Sequence, residues 1–465
     1  MGGAPRAADA PPLSRFMAIV AIVKSMIGAG VLGLPSAYGN VGFAISIPGS
    51  VFIAIINAIG VWQMLQTKHH MVRNNKNIPA DATSSEESVE DSPIIKDESP
   101  AQDRGMDMKD FGLGPIAVVA NQLLGRLGLA LAYFGVLGTQ AGLCLAYVVT
   151  IHVTLTEMPW FMDQDEIVLR IGACVVFCLL TLIRKLSSLA ILSVGALIVY
   201  IFVIGDLIVR GLPEIQNKTY MTFGEAMPIH LEHLESYFGT SVFAFEGIVI
   251  ALYSCDDMKL GESIRPFKGV LRWAYFISWS VFSFVGVWGY LAYGDTVKNP
   301  FYLSFPHGAL DVVLDKTCLV LVLFLSFALQ AFPIFSAFDY ILIKQQHAGD
   351  DIVSDVGISD SDDEATLPVH RKGKRILDII LRFGTTVILC ALGAGLPKIG
   401  CITDLVGAVF MSLIAFLLPG IFHLVEFKRE LTTVAIVIDI ILVLIGTAAI
   451  TLGLKEAPVC FTAGD

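Results

Sequence analysis

The sequence predicts an all-α membrane protein of about eleven transmembrane helices: two five-helix halves in inverted repeat, the first and sixth helices broken, and one extra helix. Three observations predict it. The 465 residues are 55% hydrophobic and only 16% charged, with mean hydropathy +0.71, whereas soluble domains carry roughly 25% charged residues. Apolar windows of about 20 residues, the length that spans a bilayer, recur along the whole chain. The first and sixth of these windows, five apart, are interrupted by glycine, as two inverted five-helix repeats would require.

The windows fall at roughly 16–36, 41–66, 128–153, 167–184, 187–209, 237–254, 272–293, 312–343, 376–395, 403–424 and 432–454. Lys and Arg orient them. Arg73 and Lys76 follow the second window, and Arg184 and Lys185 lie between the fourth and fifth. Lys259, Arg265 and Lys268 lie between the sixth and seventh, Lys344 and Arg371–Arg375 between the eighth and ninth, and Lys428 and Arg429 between the tenth and eleventh. All share one side if the N-terminus is cytosolic. The chain thus divides into a cytosolic tail (1–15), a membrane domain (16–454) and a non-cytosolic tail (455–465). No cleavable signal peptide is expected, since residues 1–12 are small and polar.

The net charge of −11 does not report on a ligand. Its acids sit mainly in two cytosolic loops, about 74–110 and 349–370, expected to be disordered because they lack apolar periodicity. Their serines lie among acids, so phosphorylation or a regulatory partner could act there, although a solvated tether is the simpler reading. Asn217-Lys-Thr219 is a glycosylation sequon on the non-cytosolic side. Cys401 and Cys460 also fall on that side, where a disulfide could join them. Cys174 and Cys178 share a helix face without a His or carboxylate, which reads as packing. No cofactor, metal or nucleic-acid partner is expected.

The first window holds Lys24-Ser-Met-Ile-Gly-Ala-Gly-Val-Leu-Gly-Leu-Pro35. Three glycines and a proline let the backbone leave the helix. In hydrocarbon, broken backbone persists only where protein buries it or a wet cavity adjoins it. Gly28-Ala-Gly-Val-Leu-Gly33 formally matches G-x-G-x-x-G, but no strand precedes it, so a dinucleotide site is excluded. A discontinuous helix whose freed amides and half-helix dipole hold a carboxylate explains the run. A glycine face for close helix packing is the alternative. A midplane cavity of this kind makes a transporter the leading expectation.

The sixth window reads Tyr237-Phe-Gly-Thr-Ser-Val-Phe-Ala-Phe-Glu-Gly-Ile248. Glu246 is its most informative residue. An ionisable group deep in a span is costly and should face the bundle interior. It is therefore a candidate proton carrier, or a structural acid tying down unwound backbone. Gln140 and Tyr147 lie two turns apart on one face of the third window, and the eighth holds Ser326 and Gln330. These line a cavity or bind helices together equally well by spacing. Lys24, Asp206, Arg170, Asp404 and Asp439 read as structural, with Asp404 near a span end and Asp439 bonded to a neighbouring helix.

These segments resemble the amino acid/auxin permease family, in particular its proton-coupled amino acid transporter branch. The first-window run is similar to that family's first-helix signature, and Phe238–Gly247 to the branch's sixth. Thr139, Gln140 and Tyr147, and Ala328–Gln330 with Pro333, resemble its third and eighth helices. The resemblance covers the membrane part and not the acidic loops; Tyr253–Met258 departs from the branch's usual run. It implies a LeuT-like fold with alternating access and transport of small neutral amino acids, usually with protons, in a vacuolar, lysosomal or plasma membrane. It also implies a site. Ile27, Gly28, Ala29 and Gly30 would take the substrate carboxylate, and Thr240, Ser241 and Phe243 the amino group or side chain. Tyr147 would join them, Glu246 would couple the ion, and Ser25, Gln140, Ser326 and Gln330 would line the cavity.

Two rivals stand beside the proton-coupled reading. Sodium coupling needs convergent oxygens from the first and eighth helices, of which Ser326 offers one. A sensor that binds an amino acid but moves little would dock partners through the acidic loops. An enzyme is not expected: no nucleophile stands beside a base, and no metal triad appears.

Overall fold

The computed structural model describes residues 13–76, 115–183, 186–216, 222–258, 264–305, 310–355, 367–395 and 399–462, and these are helical, with no strand among them. Asn217, the loop 77–110 and residues 356–366 lie outside the described residues. Among the described residues, eight helices are long and apolar enough to cross a membrane, or nine if one bent pair counts as a single span. Helices also occupy Glu166–Leu180 and Leu186–Gln216, where the fourth and fifth expected windows fall.

Ser14 starts the first span, accepting a hydrogen bond from the Met17 amide as N-cap;. Helix α1 (Arg15–Met26) and α2 (Ala29–Val41) then form the bent pair, at 59°. Next come α3 (Phe43–Lys76), α4 (Pro115–Thr156), α5 (Glu166–Leu180) and α6 (Leu186–Gln216). The second half opens with another broken span, α7 (Leu234–Ala244) and α8 (Ile248–Asp257). It continues through α9 (Arg265–Tyr293), α10 (Leu310–Asp355) and α11 (Leu367–Ala394). The tenth span begins as α12 (Ile399–Leu405), winds as π-helix over Val406–Met411 and Leu413–Leu417, and ends as α13 (Leu418–Glu426). Helix α14 (Thr433–Thr462) is the extra span. Both halves therefore begin with an interrupted helix, as the LeuT-like expectation required.

Several boundaries differ from the sequence reading. Within α4, Gly125 leaves helical geometry at φ 60° and ψ −143°, so a short helix from Pro115 precedes the kink and the longer one follows it, beginning close to the expected 128. A non-glycine residue rarely holds that conformation. Helix α10 runs on to Asp355 and α11 starts at Leu367, where Pro368 suits a first helical turn, and residues 356–366 of the expected loop between them lie outside the described residues. Helix α14 likewise extends through most of the expected 455–465 tail. Cys401 is disulfide-bonded, the other described cysteines are free, and the side chain of Cys460 lies outside the described set.

The packing explains where polar residues sit. A charge inside a span persists when it is paired. Lys316 Nζ donates to Glu157 Oε2 at 2.7 Å, Arg382 Nε to Asp378 Oδ1 at 2.6 Å, and Arg210 meets Asp206, Asp311 and Asp315. Asp439 of α14 accepts from Gln63 of α3 and pairs with His423 of α13 at 2.9 Å, the helix-to-helix bond expected of it. Small residues bring backbones together elsewhere, as in membrane helix pairs generally. Gly407 of the π stretch lies directly against the Gly239 carbonyl of α7. The breaks in the two half-opening spans are thus held in a rigid frame.

Candidate functional site

The first break occupies two residues. Ile27 closes α1 by donating its amide to Val23 O at 3.0 Å, then leaves the helix at ψ 95°. Gly28 is extended, at φ −148° and ψ −151°, and α2 starts at Ala29 with no side-chain cap. An uncapped first turn presents backbone donors and the positive end of the helix dipole. The second break occupies three. Phe245 and Glu246 donate their amides to Ser241 O at 3.1 Å and Phe243 O at 3.5 Å, and the helix resumes at Ile248. The end of α7 presents carbonyls, the start of α8 amides.

The breaks cross each other. A Cβ on Gly30 would stand 2.7 Å from Ala244 Cα and 3.0 Å from Phe243 Cδ1, so the start of α2 lies on the end of α7. A Cβ on Gly247 would stand 2.8 Å from Met26 Cε and 3.3 Å from Ser25 Oγ, so the end of α1 lies on the start of α8. Four half-helix ends of alternating polarity therefore meet in one place. Gly30 abuts the backbone of α7, and its lack of a side chain serves close packing there.

Polar side chains from other spans converge on this crossing. Tyr147 of α4 sets its hydroxyl 2.9 Å from where a Gly28 Cβ would be, and hydrogen-bonds Gln330 of α10. Glu246 is 6% exposed, and Tyr147 and Tyr275 lie within electrostatic range of it. Glu246 Oε1, Gln140 Oε1, Ser241 Oγ and Ser326 Oγ are buried without a hydrogen-bond partner among the described residues. Buried polar atoms are normally paired, so Glu246 Oε1 in the second break and Ser241 Oγ one turn before it can receive a polar ligand or an ion. Ser25 is different: its hydroxyl donates to Ile22 O at 2.7 Å. Lys24, 7% exposed, has no ion-pair partner among the described residues.

Asp404 is the residue the sequence reading missed. It was placed near a span end, free to reach water. It lies instead between α12 and α7, accepting from Ser236 Oγ at 2.7 Å and from the Thr240 hydroxyl. Thr240 is thereby engaged by Asp404 rather than left open. Both line a 380 Å³ cavity with Ser36, Asn40, Asn299 and Cys401, and Asp404 is the one charged residue in its wall among the described residues. The cavity adjoins α2 and α7, on their side of the two breaks. The available signal was the Thr403-Asp404 pair, polar in an otherwise apolar stretch and four residues after Gly400.

Comparison with known proteins agrees with this geometry. A family described as transmembrane amino acid transporter protein matches residues 11–457. Amino acid transporter AVT3A of Arabidopsis thaliana is 22% identical over 95% of this chain and 88% of its own. Vacuolar amino acid transporter 4 of Saccharomyces cerevisiae is 22% identical over 92% of this chain and 56% of its own. The proton-coupled amino acid transporter-like protein pathetic of Drosophila melanogaster is 21% identical over 87% and 75%. With broken first and sixth spans crossing at one polar centre, and a family match across nearly its whole length, the chain belongs to the transmembrane amino acid transporter family.

Proposed function

We propose that the protein is a secondary active transporter that moves small neutral amino acids by alternating access, coupled to protons through Glu246. The observation that carries this is the crossing of two helix breaks beside a buried carboxylate with an unpartnered oxygen. A zwitterion suits four half-helix ends: the uncapped start of α2 takes its carboxylate, and the carbonyls ending α7 take its ammonium. Ile27, Gly28 and Ala29 contribute backbone, while Tyr147, Ser241 and Phe243 bound the side chain, a buried and mostly apolar setting that favours small neutral residues. Gly30 and Thr240 act by shaping the crossing rather than by touching the substrate.

Glu246 can hold a proton in one orientation of the carrier and release it in the other, which ties substrate movement to the proton gradient. The vestibule at Asp404 gives entry from one side, and rocking of the half-helices opens the other;. The name of the Saccharomyces relative supports a vacuolar membrane and that of the Drosophila relative proton coupling, and the Lys and Arg distribution supports a cytosolic N-terminus. Sodium coupling remains the second reading because Ser326 Oγ has no partner, although one hydroxyl is far from the six or so oxygens a hard cation gathers. The deciding experiment is uptake of amino acids into proteoliposomes under an imposed pH gradient and, separately, a sodium gradient. Uptake driven by sodium alone would overturn the proton assignment, and no uptake under either would favour a sensor.

A further inference from the structure

We infer that the groove between α3 and α9 is a binding site for an anionic phospholipid of the surrounding bilayer. The groove measures 780 Å³ and is walled by Val51, Ile55, Ala58 and Ile59 of α3 and by Leu271 and Phe276 of α9. Its size and apolar lining suit acyl chains. Lys268 and Arg272 also line it, one turn apart on α9, and both are exposed. Neither has an acidic partner within 4 Å among the described residues. Lys268 Nζ instead lies 5.6 Å from the centre of the Trp62 ring, also in the wall. Among the described residues, no acidic one lines the groove.

A cation facing lipid without a protein counter-charge is costly unless a phosphate meets it, and basic pockets between spans collect anionic headgroups. Trp62 and Trp279, at the two helices' facing surfaces, are residue types enriched at headgroup depth;. The groove therefore offers apolar walls for chains, two unpaired cations for a phosphate, and indoles between. Its inner wall includes Tyr275, which is buried and lies within electrostatic range of Glu246. A lipid seated there packs against the neighbour of the proposed coupling residue, which gives bilayer composition a route to the transport rate.

The test uses the full chain in phosphatidylcholine nanodiscs with a photoreactive phosphatidylserine, and in parallel a photoreactive phosphatidylcholine. The serine lipid should label peptides around Val51–Trp62 and Leu271–Trp279 far more than the choline lipid. Each cation near the surface is worth about fivefold in affinity, so Lys268→Ala with Arg272→Ala should weaken that labelling roughly thirtyfold. Ile55→Trp, at an exposed wall position, should block it while both cations remain. Labelling of other helices by the choline probe shows that each variant is folded. Equal labelling by both lipids, or full labelling by the serine lipid after loss of both cations, would reduce the groove to ordinary annular contact and overturn the site. Displacement of the serine lipid by excess inorganic phosphate would assign the cations to a free anion and also overturn it.

Discussion

Gly28→Ala is the sharpest probe of the crossing. The added methyl would stand 2.9 Å from Tyr147 Oη, whereas relaxed carbon–oxygen contacts lie at about 3.3–3.6 Å. Something must therefore move by roughly 0.4–0.7 Å. Tyr147 has little freedom to yield: it is 1% exposed and its hydroxyl is bonded to Gln330. Overpacking of this kind costs about 1–3 kcal/mol, which at about 1.4 kcal/mol per decade is roughly 5- to 150-fold in affinity. The assay is the concentration dependence of amino acid uptake into proteoliposomes, where the half-saturating concentration should rise by that factor. Tyr147→Phe removes the oxygen that the methyl meets, so the same alanine should cost distinctly less on the phenylalanine background. The two changes are in contact, and contacting changes are expected to be non-additive. An unchanged half-saturation in Gly28→Ala, or an equal loss on both backgrounds, would show that the hydroxyl does not stand over the first break.

The remaining predictions concern coupling and packing. Glu246→Gln cannot load a proton, so uptake should fall and the residue that remains should cease to rise as the entry side is acidified. Initial rates at a series of pH values check this, and a retained pH response would remove Glu246 as the carrier. Gly407→Ala drives a methyl into the Gly239 carbonyl, backbone against backbone, and should lower the unfolding midpoint in detergent by an amount matching about 1–3 kcal/mol or more. Gly172→Ala, on α5 with nothing within 4 Å of the new carbon, should leave that midpoint level or raise it slightly. Lys24→Met deletes a buried amine that lacks an ion-pair partner and keeps the chain's length, so stability should rise by about 1–3 kcal/mol. A fall would reveal an interaction that pays for the burial.

Sequence pattern located the breaks well. Glycines at 28, 30 and 247 stand within or beside the two unwound segments, because a run of glycine in hydrocarbon has few other uses;. The role of each glycine was less legible. Gly28 faces a tyrosine hydroxyl and Gly30 a helix backbone, a difference set by which span happens to cross there, and spacing along one helix carries no information about that. Asp404 was misread for a related reason. Its partners Ser236 and Thr240 are more than 160 residues away, so its window showed only a carboxylate near an apparent end. Asp439 was read correctly, since a lone acid in the middle of an apolar span has to bond a neighbour. The boundaries erred where the helix continued past the apolar stretch, as α10 does beyond residue 343.

The bond from Asp439 to Gln63 and His423 has a consequence for how the polypeptide may be cut. The last span follows the two halves that each open with a broken helix, so it looks dispensable. Ending the chain before residue 433 would nevertheless leave an amide and an imidazole turned toward acyl tails with nothing to receive them. Truncated protein should accordingly be degraded rather than accumulate as a shorter carrier, and co-expression of the missing helix as a separate fragment should rescue it. The eleventh helix is in this sense a structural keystone set at the rim.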